Sequence, residues 1–275
     1  MSVVTTADGV GLHYEESGAG AAVLFVHEFG GSCRSFDAQV KAFSARYRCI
    51  AFNARGYPPS GVPAAVAAYS QDKAVDDIVA VLDHLGVAQA HLVGVSMGAA
   101  SSLQFALRHP QRCLSVTLVG IGSGSDDPKS FRENSEATVK LIEAGGMAAL
   151  AGQMNKNPNR RRLAENNPAE HRRFTEQLLA MSPLGHANTM RGVQGGRSPL
   201  YAHEARIAEL RVPVLVVVGE EDEGCREPSD FLKRALPDAS LHVFPRTGHC
   251  VNLEMPEAFN RLCLGFVDTA RPAGG

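Results

Sequence analysis

Short apolar stretches alternate along the chain with stretches whose apolar residues recur every three or four positions. The run VPVLVVVG at 212–219 is apolar almost throughout, as is typical of a strand buried on both faces. The helical period is clearest at 75–85, where five apolar residues recur at that spacing before Gly86, a C-terminal cap signal. Such alternation predicts a parallel sheet with helices on both faces.

The pattern predicts an order of elements. Strands are expected at 21–28, 48–54, 89–96, 113–122, 212–222 and 239–245, after an antiparallel hairpin over 2–17 that turns at Asp8-Gly9. Helices are expected at 35–47, 75–85, 97–109, 228–236 and 256–269. The fold class is therefore α/β, with a mostly parallel sheet of eight strands.

The alternation stops between about 123 and 205, where proline, asparagine, arginine and methionine become frequent. No buried strand is predicted there, so the segment is interpreted as a helical cap inserted over one end of the sheet. The expected domains are a core formed by 1–124 and 206–275 and a cap formed by 125–205. We expect a mobile cap that affects which acyl groups are accepted more than the chemistry itself.

Composition excludes several classes of protein. With 27 basic and 29 acidic residues, the formal net charge is −2, which favours neither nucleic acid nor a membrane surface as partner. The start of the chain lacks a secretory signal, and no apolar run approaches the ~18 residues of a membrane span. The six cysteines lack zinc-site spacing and suit a reducing cytoplasm. No metal cluster or cofactor fingerprint is found, and a monomer and a homodimer both remain open.

Ser96 lies in the pentapeptide GVSMG at 94–98, between a predicted strand and a predicted helix. At such a sharp turn, side chains two positions either side of the serine would collide, and Gly94 and Gly98 remove them. The helix start also offers free N–H groups to a developing oxyanion. This context favours a nucleophile over an ordinary helix-capping serine.

A serine hydroxyl needs a base, and the base needs an acid to orient it. His249 follows the last predicted strand, so its side chain can lie over the carboxyl edge of the sheet, where ligands bind in open α/β folds. Asp222 follows the strand at 212–222 and reaches the same edge. Asp126 or Asp127, after the preceding strand, is the alternative acid.

These motifs together resemble the α/β-hydrolase family. The resemblance is carried by DGVGLHYEESGAG at 8–20, VLFVHEFGGS at 23–32, NARGYPPS at 53–60, GVSMG at 94–98, GEED at 219–222 and TGH at 247–249, and it covers nearly all of the chain outside the cap. It implies a triad of Ser96, Asp222 and His249. It also implies an oxyanion hole formed by the backbone N–H groups of Phe29 and Met97.

Three positions depart from the family pattern. Glu28 stands after His27 where the family usually has glycine, Asn53 stands in place of aspartate, and Pro-Pro-Ser occupies 58–60. We expect Asn53 and the prolines only to shape a loop. Glu28 either points away to a cation, for which Arg55 is the expected partner, or faces the pocket as a protonated carboxyl that contacts substrate.

The function predicted is that of a serine hydrolase that cleaves a small carboxylic ester or lactone through an acyl-enzyme, with no cofactor. A carbon–carbon bond hydrolase or a cofactor-free perhydrolase on the same triad is the alternative, and a slow-turnover small-molecule receptor is an alternative of another class. In the cap, the segment 156–174 carries six basic and two acidic residues. It forms either a solvated face or a surface that steers an anionic substrate.

Overall fold

A computed structural model describes residues 2–270 of the chain; Met1 and the RPAGG terminus at 271–275 lie outside the described residues. Eight strands form one sheet. They are β1 (Ser2–Thr5), β2 (Gly11–Ser17), β3 (Ala22–Val26), β4 (Arg48–Phe52), β5 (Ala90–Val95), β6 (Cys113–Val119), β7 (Val214–Gly219) and β8 (Ala239–Phe244).

The strand order is β1-β2-β4-β3-β5-β6-β7-β8. β2 runs antiparallel to both of its neighbours, β1 and β4, and the remaining strand pairs are parallel. The predicted mostly parallel sheet of eight strands and the N-terminal hairpin are therefore confirmed. The parallel strands place their carboxyl ends at one edge, which positions the site described below.

Eleven helices are found among the described residues. They are α1 (Asp37–Phe43), α2 (Gln71–His84), α3 (Met97–Arg108), α4 (Pro128–Lys156), α5 (Pro158–Asn166), α6 (Pro168–Leu179), α7 (Pro183–Thr189), α8 (Glu204–Glu209), α9 (Glu223–Ala235), α10 (Val251–Glu254) and α11 (Pro256–Thr269). Short 3-10 turns occur at Cys33–Phe36, Val66–Ala68, Pro110–Arg112 and Leu200–His203, and a π-helical turn at Met190–Gln194.

Each face of the sheet carries its own core. Side chains of α2, α3 and α9 pack on one face, where Leu24 and Leu92 are fully buried. Side chains of α1 and α11 pack on the other, against Val23 and Phe25. Adjacent residues of β3 thus point into opposite cores, which explains why its sequence is apolar throughout.

The chain between β6 and β7 is helical, with no strand among its described residues. Its long helix α4 is kinked at Gly146, where φ is +62°. Apolar side chains of α4 and α6, including Met154 and Phe174, form one buried cluster with Phe29 and Met97 at the carboxyl edge of the sheet. This insertion therefore covers the edge at which Ser96 lies.

Two differences from the predicted elements concern helices. α9 begins at Glu223, five residues before Pro228, which the sequence pattern had suggested as the first turn. α10 was not predicted, because four residues are too few to show a period. No helix within residues 2–270 combines the length and apolarity needed to cross a membrane.

Candidate active site

Ser96 sits at the turn between β5 and α3 with φ 53° and ψ −110°, a conformation rarely adopted by residues with a side chain. The turn is tight on both sides. A Cβ on Gly98 would lie 2.0 Å from the carbonyl oxygen of Val26, and one on Gly94 would lie 2.5 Å from that of Gly98. The predicted need for both glycines is thus explained by backbone contacts.

The three predicted side chains meet at this edge. His249 Nε2 lies 2.8 Å from Ser96 Oγ, and His249 Nδ1 lies 2.7 Å from Asp222 Oδ2. Asp222 is fully buried. Although burial opposes ionisation, the neighbouring His249 holds the pKa of the Asp222 carboxyl below its ordinary value. The carboxylate can therefore fix the imidazole with Nε2 free to accept the serine proton.

The alternative acids lie elsewhere. Asp126 accepts a hydrogen bond from the Tyr201 hydroxyl at 2.5 Å. Asp127 accepts one from the N–H of Ser130 at 3.0 Å and so caps α4. Neither is bonded to His249, so the geometry favours Asp222 over both.

The N–H groups of Phe29 and Met97 donate to no other group within the described chain, as an oxyanion hole requires. Sequence reasoning gave His27 no role, yet it fixes the Phe29 loop. Its Nδ1 lies 2.8 Å from the carbonyl oxygen of Glu28, and its Nε2 accepts from the N–H of Ala54 at 3.0 Å. Burial lowers the pKa of His27 to about 4, so the ring is neutral.

Glu28 is fully buried, and the expectation that it pairs with Arg55 is wrong. Arg55 instead binds Asp77 at 2.6 Å and Asp8 at 2.9 Å on another side of the core, where two carboxylates match its guanidinium. Glu28 Oε1 accepts from the Ser35 hydroxyl at 2.9 Å, while Oε2 has no partner within the described chain.

Burial raises the pKa of the Glu28 carboxyl, against the opposing charge of Arg160. This direction is the one expected for the alternative in which Glu28 is a protonated group near the pocket. A Cβ at Gly31 would approach Glu28 Oε1 to 2.4 Å, so the loop leaves space for this side chain.

Asn53 shapes a loop, as predicted. Its Oδ1 accepts from the N–H of Cys33 at 2.8 Å, and its Nδ2 donates to the carbonyl of Pro58 at 2.8 Å. The side chain therefore ties the end of β4 to the turn that contains the two prolines.

Glu254 holds the histidine loop and was missed by sequence reasoning. Its carboxylate accepts from the N–H of Gly248 at 2.8 Å and from that of Cys250 at 3.1 Å, so it brackets His249. The only sequence signal is an acid five residues after the histidine, which by itself suggests a surface helix.

The basic segment of the insertion makes specific contacts with the core. Asn159 Nδ2 donates to Asp222 Oδ1 at 3.1 Å, Arg160 Nη2 donates to the Phe29 carbonyl at 3.3 Å, and Arg162 Nε donates to Glu221 at 2.8 Å. The side chain of Arg161 is 63% exposed. The segment is thus only partly a solvated face.

Asp222, Cys225 and His249 bring one potential metal-ligating atom each within 4.8 Å of the others. The donor set suits a metal poorly. The Cys225 thiol donates to the carbonyl of Gly120 at 3.3 Å, and burial holds its pKa well above the ordinary value, so it is no thiolate ligand. The arrangement fits a histidine–carboxylate pair better.

Comparisons with known proteins agree with the fold. A family model described as alpha/beta hydrolase fold matches residues 21–256. The chain is 32% identical to 2-hydroxy-6-oxo-6-phenylhexa-2,4-dienoate hydrolase of Burkholderia cepacia, over 93% of this chain and 91% of that protein.

Two solved structures share the architecture. An esterase from Thermogutta terrifontis superposes with a TM-score of 0.87 at 24% identity, over 98% of both chains. Est816, described as an N-acyl homoserine lactone degrading enzyme, superposes with a TM-score of 0.81 at 27% identity, over 96% of this chain and all of that one.

Proposed function

Because the chain belongs to the α/β-hydrolase family, we propose that this hydrolase cleaves a small carboxylic ester or lactone through an acyl-enzyme. The observation that carries the proposal is the unbroken hydrogen-bonded line from Ser96 through His249 to Asp222. The N–H groups of Phe29 and Met97, which donate to no other group within the described chain, are available to receive the oxyanion.

Each step uses a group already in place. Ser96 Oγ attacks the carbonyl carbon as His249 Nε2, 2.8 Å away, takes its proton. Asp222 stabilises the imidazolium through Nδ1, and the N–H groups of Phe29 and Met97 receive the oxyanion. His249 then protonates the leaving oxygen. In the second half of the reaction His249 takes a proton from the water that attacks the acyl-enzyme, and it returns a proton to Ser96 Oγ as the acyl group leaves.

The surroundings of Ser96 support a substrate with an apolar part. Phe29 and Met97 belong to the same buried apolar cluster as Met154 and Phe174 of the insertion. The likeness to Est816, a lactone-degrading enzyme, supports the ester or lactone class. All six cysteines are unpaired and buried, which supports a reducing compartment such as the cytoplasm.

Carbon–carbon bond hydrolysis is the second candidate. It is favoured by the relative from Burkholderia cepacia, whose name denotes a dienoate, a carboxylate substrate. Arg160 Nη1 is buried without a partner in the described chain, and its Nη2 contacts Phe29, so a substrate carboxylate could bind there.

The test is a panel of substrates assayed with the purified protein and with Ser96→Ala. The panel contains p-nitrophenyl acetate and butyrate, small lactones and 2-hydroxy-6-oxo-6-phenylhexa-2,4-dienoate. We expect turnover of esters or lactones, and a loss of at least ~10⁴-fold in Ser96→Ala because the triad acts as a unit. A fluorophosphonate should label Ser96 in the parent only.

Other outcomes assign other functions. Turnover of the dienoate without turnover of esters favours the carbon–carbon hydrolase. A burst of product without steady turnover favours the receptor. Activity retained in Ser96→Ala contradicts the mechanism.

A further inference from the structure

One residue of the insertion touches both the acid and the base of the triad. Asn159, the second residue of α5, donates from Nδ2 to Asp222 Oδ1 at 3.1 Å, and its carbonyl oxygen accepts from the N–H of His249 at 2.9 Å. A Cβ on Gly248 would lie 2.3 Å from the same carbonyl, so the two segments are in close contact.

The neighbours of Asn159 fasten the segment to the loops around it. Arg162 binds Glu221, the residue before Asp222. Arg160 donates to the carbonyl of Phe29, in the oxyanion loop. The start of α5 thus joins three strand-end loops that each supply one part of the site.

Asn159 supplies one of the hydrogen bonds to the carboxylate of Asp222. The carboxylate is fully buried, and its two oxygens are divided between partners: Oδ2 takes His249 and Oδ1 takes Asn159. A buried carboxylate that loses a donor loses stabilisation and a constraint on its orientation, because a hydrogen bond to a charged group counts for more away from bulk water. The plane of the carboxylate in turn sets the direction of the imidazole.

We propose that Asn159 is a positioning residue of the triad, supplied by the insertion, so that the triad is fully ordered only when α5 is docked. The inference rests on the proposed function for its activity readout. Besides the polar contacts described above, Leu163 of α5 packs in the buried apolar cluster that contains Phe29.

The test compares Asn159→Ala with Asn166→Ala. Asn166 lies on the same helix and donates from Nδ2 to the carbonyl of Arg246 at 3.0 Å and to Glu254 Oε2 at 3.4 Å, but no hydrogen bond joins it to a triad residue. We expect kcat on p-nitrophenyl butyrate, and the rate of fluorophosphonate labelling, to fall about 10-fold or more in Asn159→Ala with KM nearly unchanged. Asn166→Ala should stay within about 2-fold.

A charged variant gives an electrostatic signature. Asn159→Asp places a second carboxyl at the position that now donates to the buried Asp222, where two carboxyls share one proton, so the variant can donate to Asp222 at low pH but not once both carboxyls ionise. Its kcat relative to the parent should therefore fall as pH rises, whereas a variant that merely loosened the helix would lose the same fraction of activity at every pH. Equal losses in Asn159→Ala and Asn166→Ala, or a pH-independent loss in Asn159→Asp, overturn the proposal.

A readout without substrate separates this proposal from the proposed function. The proton that His249 Nδ1 shares with Asp222 should give a downfield NMR resonance in the parent and in Asn166→Ala. It should shift or broaden in Asn159→Ala. If the parent neither turns over esters nor labels, the proposed function fails, while this resonance still decides whether Asn159 positions the pair.

Discussion

The strained backbone conformation of Ser96 is maintained by backbone contacts, and the serine side chain takes no part in maintaining it. The serine keeps φ at +53° because its N–H donates to the carbonyl of Val119 at 2.7 Å while α3 begins at the next residue. Its hydroxyl does not cap the helix and is left for His249. Strain and a free hydroxyl together are what distinguish a nucleophile from an ordinary N-cap.

The identity of the acid can be tested by matched substitutions. Asp222→Asn should lower kcat by about 10⁴-fold, because an amide holds the imidazole in the wrong tautomer. Asp126→Asn should cost less than about 10-fold, since the side-chain partner of Asp126 within residues 2–270 is the exposed hydroxyl of Tyr201. Steady-state kinetics on one activated ester measure both. A reversed result would move the acid to the loop after β6.

The buried carboxyl of Glu28 should make the free energy of unfolding depend on pH. Its pKa is raised by burial, so between about pH 4.3, where the unfolded chain titrates, and the folded pKa the native state holds more protons than the unfolded state. Stability contributed by this group is present below that window and is lost as pH rises through it. Glu28→Gln removes the titration while keeping the side-chain shape.

The free energy of unfolding in urea, measured between about pH 5 and about pH 8, should therefore rise in Glu28→Gln relative to the parent as pH increases. Glu176→Gln, at an exposed site of α6, serves as the control and should show no such trend. Activity of Glu28→Gln should remain within about 10-fold of the parent, because the folded carboxyl is favoured in its neutral form. A constant difference across this pH range contradicts the burial argument.

At the scale of elements, a proline signal located the start of one helix correctly and the start of another wrongly. α11 was predicted at 256–269 and runs over Pro256–Thr269, because proline at the first helical position marks its start. The same rule misplaced the start of α9, because Pro228 resembles a first-turn proline but lies inside the helix.

The residues of the site also differ in whether the sequence carries a signal for them. Ser96, Asp222 and His249 each follow a strand, so the carboxyl edge of a parallel sheet brings them together by topology. Asn159 is 63 residues from Asp222 and carries no strand-end signal, so only the packing of the insertion reveals their bond. The contacts of Arg162 with Glu221 are equally non-local.

The contacts of the insertion change what we expect when it is lost. We expected its loss to change acyl specificity more than triad chemistry. The contacts of Asn159 with Asp222 and His249 favour an effect on both, since the acid would lose a donor.

At the scale of the whole molecule, the insertion and the sheet edge are joined by a buried aromatic contact. His186 of α7 packs on Phe29 at 5.3 Å and on Tyr57 at 4.5 Å between ring centroids, and Tyr57 packs on His27 at 4.6 Å. The contact therefore connects the helical insertion to the oxyanion loop through two buried histidines.

Both histidines predict that the fold is sensitive to acid. Burial lowers the pKa of His27 and of His186 to about 4 each. Unfolded histidines titrate near pH 6.5, so below that pH the unfolded state binds more protons and stability falls until about pH 4, by about 3 kcal/mol per histidine at most. We expect these two histidines to lower the free energy of unfolding as pH falls from about 7 to about 4.5, opposite in sign to the contribution of Glu28.

His186→Phe tests how much of this decrease in the free energy of unfolding comes from the histidine of the insertion. The ring would keep its packing on Phe29 and Tyr57, lose the bond from Nδ1 to the carbonyl of Ser182, and remove a buried Nε2 that has no partner in the described chain. The decrease in unfolding free energy between about pH 7 and about pH 4.5 should be smaller than in the parent by on the order of 2–3 kcal/mol. His84→Gln, at an exposed site of α2, should leave the decrease unchanged. If His186→Phe and the parent lose the same free energy, the junction between insertion and sheet edge is not where acid acts, and His27 becomes the next site to substitute.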